Sequence, residues 1–148
     1  MIEGKWFAPG ADAPEAFALR RQVFDRGQDA LDQSAWNVVV YQQGQCAATG
    51  RIWWQDGAFF LGDIAVSPAL RRQRLGDLTL RLLLFKAESH GARRIRVLAP
   101  AAVLPFFTRL GFHAEDEAAN GVQPLLLLGE DLCLDSCQGC KKACANRR

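Results

Sequence analysis

Between Ala58 and Gly91 the hydrophobic period of the chain changes once, and that change limits the folds open to it. Ala58 to Ser67 reads as a strand, Ser67-Pro68 ends it, and from Leu75 the apolar side chains fall at helical spacing. Leu75, Leu78, Leu82 and Phe85 line one stripe of a helix expected to end near Gly91. A strand delivered into a helix through a short loop needs a layered arrangement of sheet and helix, so all-β and all-α folds are excluded.

The remaining elements agree with mixed α/β order. Ile2 to Ala8 forms an opening strand. The Pro9, Gly10 and Pro14 punctuation precedes a helix with Phe17, Arg20 or Arg21, and Phe24 on one face, ended by Gly27. Asn37 to Gln42 and Gln45 to Trp54 make a hairpin across Gln43-Gly44, and Gln55-Asp56-Gly57 turns the chain into the strand at Ala58. Arg93 to Ala99 alternates as a strand with one wet face, Val103 to Leu110 forms a short helix stopped by Gly111, and two strands follow around Phe112 to Glu115 and Gln123 to Leu128. Residues 1–129 thus read as one domain and residues 130–148 as an appendage without comparable periodicity.

At 148 residues and 49% hydrophobic content the chain can bury a core without staples or metal. No apolar run approaches the roughly 20 residues that span a bilayer, and MIEGKWFAPG lacks a signal-peptide pattern, so a cytoplasmic protein without a membrane partner is expected. Charge is uneven. Residues 69–96 carry eight basic and two acidic side chains, an excess that suits a polyanionic small ligand better than a nucleic-acid face, and nucleic acid is not an expected partner.

The loop within that segment, Arg71-Arg72-Gln73-Arg74-Leu75-Gly76-Asp77, has the chemistry of an anion site. Backbone N–H groups at a helix start lack intrahelical acceptors, the helix dipole is positive there, and Gly76 lets a phosphate approach the main chain. The plainer alternative is a loop leading into a core helix.

These residues resemble the GNAT superfamily of acyl-CoA-dependent N-acyltransferases, whose pyrophosphate loop reads Gln/Arg-x-x-Gly-x-Gly/Ala. Arg71 and Gly76 match its first and last fixed positions. Asp63-Ile64-Ala65-Val66 looks like the family's fourth strand, and Phe106-Phe107-Thr108-Arg109-Leu110-Gly111-Phe112 looks like its Phe-Tyr-x-x-Leu-Gly-Phe signature. Leu19 to Phe24, Asp29, Asp32 and Glu117 to Leu127 look like the ElaA/YjcF-like branch. The resemblance spans about residues 1–128. It implies a mixed, mostly antiparallel central sheet, splayed between its fourth and fifth strands and flanked by helices, with acetyl-CoA wedged into the opening.

By the same resemblance, the pantetheine arm would pair with Ile64, Ala65 and Val66, amides of Arg71, Arg72, Gln73, Arg74, Leu75, Gly76 and Asp77 would hold the pyrophosphate, and Phe106 and Phe107 would border the cofactor. Acetyl would pass directly to a primary amine of a small molecule or protein, with an oxyanion forming near the Val66 amide. Asp63 is the candidate general base, against the alternative of a solvated strand carboxylate. A homodimer is compatible with the family, though no residue here encodes one. His90 and His113 read as structural rather than catalytic.

Four positions depart from the pattern. Arg74 replaces the first loop glycine; if that position needs φ > 0 the cost is on the order of 1 kcal/mol, while its guanidinium could grip phosphate instead. Phe107 stands where a tyrosine usually serves as acid, and it has no proton to donate, so departure of the thiolate is unassisted. Pro100 replaces a polar residue that reaches the pantetheine, and Trp36 a frequent histidine. A catalytically weak acyl-CoA-binding protein is therefore the rival expectation.

Cys133, Cys137, Cys140 and Cys144 crowd the last 16 residues. Four thiols are the set that a tetrahedral Zn²⁺ or a cubane cluster requires, and in a reducing cytosol metal binding competes well with disulfides. On one straight helix they would form a stripe of about 16 Å, too long for a single metal, but Gly139 weakens such a helix and a folded-back loop could gather them. Structural zinc, free or redox-active thiols, disulfides and an iron–sulfur cluster all stay open. Cys46, in a strand, reads as a small core residue.

Overall fold

The computed structural model describes residues 1–132. Among them seven strands and three α-helices follow one another: β1 (Ile2–Phe7), α1 (Pro14–Phe24), β2 (Trp36–Gln42), β3 (Gln45–Gln55), β4 (Ala58–Val66), α2 (Leu75–Ser89), β5 (Arg94–Pro100), α3 (Leu104–Thr108), β6 (His113–Ala114) and β7 (Val122–Leu128). This is the mixed α/β fold read from the sequence, with mostly antiparallel strands flanked by helices. The expected metal ligands Cys133, Cys137, Cys140 and Cys144 lie outside the described residues.

Contacts divide the chain into two units. The first comprises Met1–Trp54 and Leu61–Leu83; the second comprises Gln55–Phe60 and the described residues from Leu84 onward. In the first, the strands run β1-β2-β3-β4, and β2 pairs antiparallel with both β1 and β3. Gln43 and Gly44 both have positive φ, as do Asp56 and Gly57, which is the backbone that tight hairpins require.

Alternation along β2 divides the core of this unit. Val39 packs with Ala13, Ala16 and Phe17 of the α1 region, while Val40 packs with Leu75 of α2 together with Ala47 and Ala48. Successive strand residues point to opposite faces, so one apolar run serves both helices. Gly50 in β3 admits α2 closely: a Cβ there would lie 2.9 Å from Leu83 Cδ1 and 3.1 Å from Thr79 Cγ2.

The second unit is built on β5-β7-β6, with β7 antiparallel to both neighbours. Ile95, Val97 and Ala99 of β5 are buried with Leu125, Leu126 and Leu127 of β7. Phe107 of α3 meets Phe106 and Phe112 edge-on, with ring centroids 5.1 and 5.7 Å apart. Past β7, Gly129–Asp131 forms one 3-10 turn and Leu132 is buried, so the stretch after residue 129 begins packed.

Two local expectations are corrected. Helix α1 stops at Asp25 rather than Gly27, because Asp25 adopts the left-handed conformation (φ 59) and its N–H donates to the Arg21 carbonyl. In α2 the Leu75-Leu78-Leu82-Phe85 stripe is not the deepest face. Leu80, Leu83, Leu84 and Ala87 are fully buried, whereas Phe85 is 59% exposed. The helix is leucine-rich on more than one side, so periodicity alone could not choose. The short turn Ala30–Gln33, which no sequence pattern announces, is closed by a capping box in which the Asp29 side chain accepts from Asp32 N–H and the Asp32 side chain accepts from Asp29 N–H; Leu31 N–H also donates to Asp29.

Candidate functional site

The first unit holds the strand and loop singled out by the sequence. After Val66 the chain forms a 3-10 turn, Pro68–Leu70, and then a loop in which Arg72 and Arg74 have φ of 69 and 61. The residue in place of the first loop glycine thus keeps a glycine-like backbone, at a cost on the order of 1 kcal/mol. The Arg74 carbonyl accepts from Leu78 N–H at 3.1 Å, so α2 starts directly from the loop. The first N–H groups of α2, at Leu75 and Gly76, therefore have no acceptor within the helix.

Side chains in the loop divide by task. Arg71, Arg72 and Arg74 are exposed. Gln73 accepts from Gln42 Nε2 at 2.9 Å and is tied to β2. Leu75 is 2% exposed and belongs to the core, leaving only its main chain for a ligand. Asp77 pairs with Arg81 at 2.9 Å.

On β4, Asp63 has φ 53, while Ile64 and Val66 are partly buried and Ala65 is buried. The Asp63 carboxylate is held from two sides. Arg51 donates to Oδ2 through Nε, at 2.7 Å, and through Nη2, and Arg26 donates to Oδ1. Neither oxygen of the expected base stands free in this arrangement.

Arg51 is the centre of a larger network. Its Nη1 and Nη2 meet the Asp29 carboxylate at 2.7 and 2.9 Å, and Nη1 lies 3.3 Å from Asp32. Asp32 also accepts both bonds from Arg20 Nη2, at 2.9 and 3.0 Å, and one from Asn37 Nδ2 at 3.2 Å. Arg20 and Asp32 are each 1% exposed. The Arg51 hydrogen bond holds the Asp29 carboxyl below its ordinary range. Burial pushes Asp32 up, but the Asp29 N–H together with Arg20 and Asn37 outweighs it, and the net shift is downward. For Arg51, burial opposes the charge and the carboxylates, Asp29 first, more than restore it.

In the sequence Arg20 stands out as one of two candidates for a face of the first helix and, with Asp29 and Asp32, as a match to a branch of relatives, whereas Arg51 and Arg26 belong to no motif. A signal was present: Arg51 is the one charge in the run from Cys46 to Trp54, and a charge in a strand that apolar must find a partner or unfold.

The other expected residues are in the second unit or serve packing. Phe106 is partly buried and Phe107 is 5% exposed within its aromatic trio, with no hydroxyl on either ring. Pro100 ends β5 and is exposed, as are His90 and His113; Trp36 begins β2 half-buried. Cys46 packs beside the Ala13, Ala16, Phe17 and Val39 cluster, and burial pushes its thiol up to about 11, followed by the nearby Glu15 charge. Among the described residues no group of three or more His, Cys, Asp or Glu side chains is arranged to hold a metal ion. No helix of the described residues is long and apolar enough to cross a membrane. A groove of about 510 Å³ in the second unit, lined by residues that include Gly57, Arg93, Arg94 and Glu130, contains none of the expected site residues.

Solved structures with this fold include an acyl-CoA N-acyltransferase from Pseudomonas aeruginosa, 20% identical, with a TM-score of 0.77 over 85% of this chain and 99% of that one. Escherichia coli ElaA is 20% identical with a TM-score of 0.72 over 85% and 98%. A GNAT family acetyltransferase from Elizabethkingia anophelis, solved with acetyl-CoA bound, is 15% identical with a TM-score of 0.70 over 86% and 97%. No curated protein matches the sequence significantly. The model of the Acetyltransferase (GNAT) family matches residues 5–112, which include the end of the opening strand, the arginine-rich loop and the Phe106 to Phe112 signature, and the chain therefore belongs to the GNAT acetyltransferase family.

Proposed function

We propose that the protein is an acetyl-CoA-dependent N-acetyltransferase acting on a primary amine of a small molecule or protein, in the ElaA/YjcF-like branch of its family. The observation that carries this reading is the loop of Arg71 to Asp77: two arginines held at positive φ and three exposed guanidiniums directly before the start of a helix. In this reading the amides hold the pyrophosphate, the arginines meet the phosphates, and the backbone of Ile64, Ala65 and Val66 pairs with the pantetheine arm. Phe106 and Phe107 contribute apolar surface.

A neutral amine then attacks the thioester carbonyl, the oxyanion is met by the Val66 amide, and the carbon–sulfur bond breaks with release of the CoA thiolate. Asp63 takes the amine proton once Arg26, 55% exposed, withdraws from Oδ1; Oδ2 stays with Arg51. Because Phe107 offers no proton, the thiolate departs as the anion and is protonated by water. A thiol with a pKa near 8.5 leaves tolerably in this way, at a rate cost of about 10² to 10⁴ relative to an assisted departure.

Calorimetric titration of acetyl-CoA, followed by thiol release across a panel of amines, tests this reading. Micromolar binding with turnover supports it, and absence of any binding ends it. Binding without turnover would favour the second reading, an acyl-CoA-binding protein, for which the missing hydroxyl at Phe107 is the specific observation. Cys133, Cys137, Cys140 and Cys144 are proposed as a separate zinc-binding set, to be tested by elemental analysis of the purified protein.

A further inference from the structure

Among the described residues, seven non-glycine residues have positive φ: Asp25, Gln43, Asp56, Asp63, Arg72, Arg74 and Asn120. Six lie in a helix cap, a turn or the arginine-rich loop. Asp63 alone lies inside a strand, directly before Ile64, Ala65 and Val66. A left-handed residue re-aims the strand that follows it, and a side chain there persists only where its surroundings over-determine it.

Arg51 supplies that determination. It lies 3% exposed in β3, its Nε and Nη2 meet Asp63 Oδ2, and its own position is fixed by Asp29 and Asp32 on the connection between α1 and β2. The Trp53 ring lies 5.5 Å from the Arg51 guanidinium and reaches Gly62, where a Cβ would come within 3.3 Å of Trp53 Cη2. The residue before the left-handed position is thus closed against an indole, and Asp63 itself is held by a guanidinium that three carboxylates surround. A planar fork with five donors can satisfy this geometry; an ammonium cannot.

We propose that Arg51 is a positioning residue for acyl-CoA: by holding Asp63 it fixes the left-handed break in β4 and with it the aim of Ile64, Ala65 and Val66. The role rests on the acyl-CoA reading above for its ligand, and on the Arg51–Asp63 geometry alone for the order it imposes on β4.

Two measurements separate these dependencies: hydrogen exchange of peptides covering residues 62–67, without ligand, and calorimetric titration of acetyl-CoA. Arg51→Lys is expected to speed exchange in that stretch and to weaken acetyl-CoA binding about tenfold. Asp63→Gly keeps the permissive backbone, removes the carboxylate that Arg51 grips, and leaves Arg51 paired with Asp29 and Asp32; it is expected to change both readouts in the same direction and serves where the lysine variant does not fold. Ile52→Val, beside Arg51 in β3, is expected to lower the melting temperature without touching the network and to leave the acetyl-CoA affinity as it was, whereas a merely structural role for Arg51 predicts that affinity falls with stability in both variants. Unchanged exchange over residues 62–67 in both network variants, or unchanged affinity in a folded one, overturns the inference. If the wild-type protein binds no acetyl-CoA, the proposed function fails, while faster exchange in the variants would still support the hold of Arg51 on β4.

Discussion

The first unit carries two groups of arginines that fold into opposite circumstances. Arg20 and Arg51 are almost wholly buried, and carboxylates of Asp29, Asp32 and Asp63 surround them. Arg71, Arg72 and Arg74 are exposed on a loop whose backbone is held at positive φ at two of the three. In the interior a guanidinium is an architectural group, because an unpaired buried charge is prohibitive and a paired one locks a single arrangement. On the loop it is exposed, and the function proposed above gives it the phosphates of acyl-CoA as partner. The type of residue therefore says little; its partners decide whether it builds the fold or serves the site.

The largest difference between the groups should appear in stability. Arg51→Ala removes the buried cation that Asp29, Asp32 and Asp63 share, leaving Asp32 to Arg20 and Asp63 to Arg26, and is expected to cost about 3 kcal/mol, whereas Arg71→Ala should change stability by less than about 0.5 kcal/mol, both read by chemical denaturation. Equal effects would abolish the distinction.

Acid should act on the buried group next. Asp29 and Asp32 titrate lower in the folded chain than when unfolded, so their contribution is fully present at neutral pH and is lost as pH falls through the folded values. Melting temperature is expected to drop below about pH 4, and the drop should be smaller in Asp29→Asn, which gives up one of the two carboxylates in advance.

Ligand binding should show the reverse pattern. Arg71→Ala and Arg72→Ala are each expected to weaken acetyl-CoA about fivefold, with a shallower salt dependence and an unchanged melt, because an exposed charge contributes to a polyanion and not to the fold. The smallest effect belongs to Arg74→Gly. Relief of the left-handed backbone is expected to raise stability by about 0.5–1 kcal/mol while affinity falls or stays level. Loss of stability there would mean that the loop backbone is not strained at Arg74.

Much of the architecture was legible before any coordinates. Strands at Ile2, Asn37, Gln45 and Ala58 follow from alternation between turn residues, and the turns at Gln43-Gly44 and Asp56-Gly57 follow from residues that accept positive φ. The C-terminal end of α1 and the buried face of α2 were not legible. A left-handed cap at Asp25 competes with Gly27, and an all-round leucine helix carries no single stripe. The loop from Arg71 to Asp77 was legible as a candidate because the proposed anion site is made of contiguous residues. The engagement of Asp63 was not, because its partners Arg51 and Arg26 stand 12 and 37 residues away.

The sequence by itself determined the order of elements, the arginine-rich turn into a helix, and membership in an acetyltransferase family, since each depends on neighbours a few residues apart. Tertiary structure alone decided that Asp29, Asp32 and Asp63 converge on one guanidinium, and so which arginines are buried and which remain exposed. The reason is physical. Periodicity and turn chemistry are local, whereas the desolvation of a charge and the partner that offsets it exist only once distant segments have been packed together.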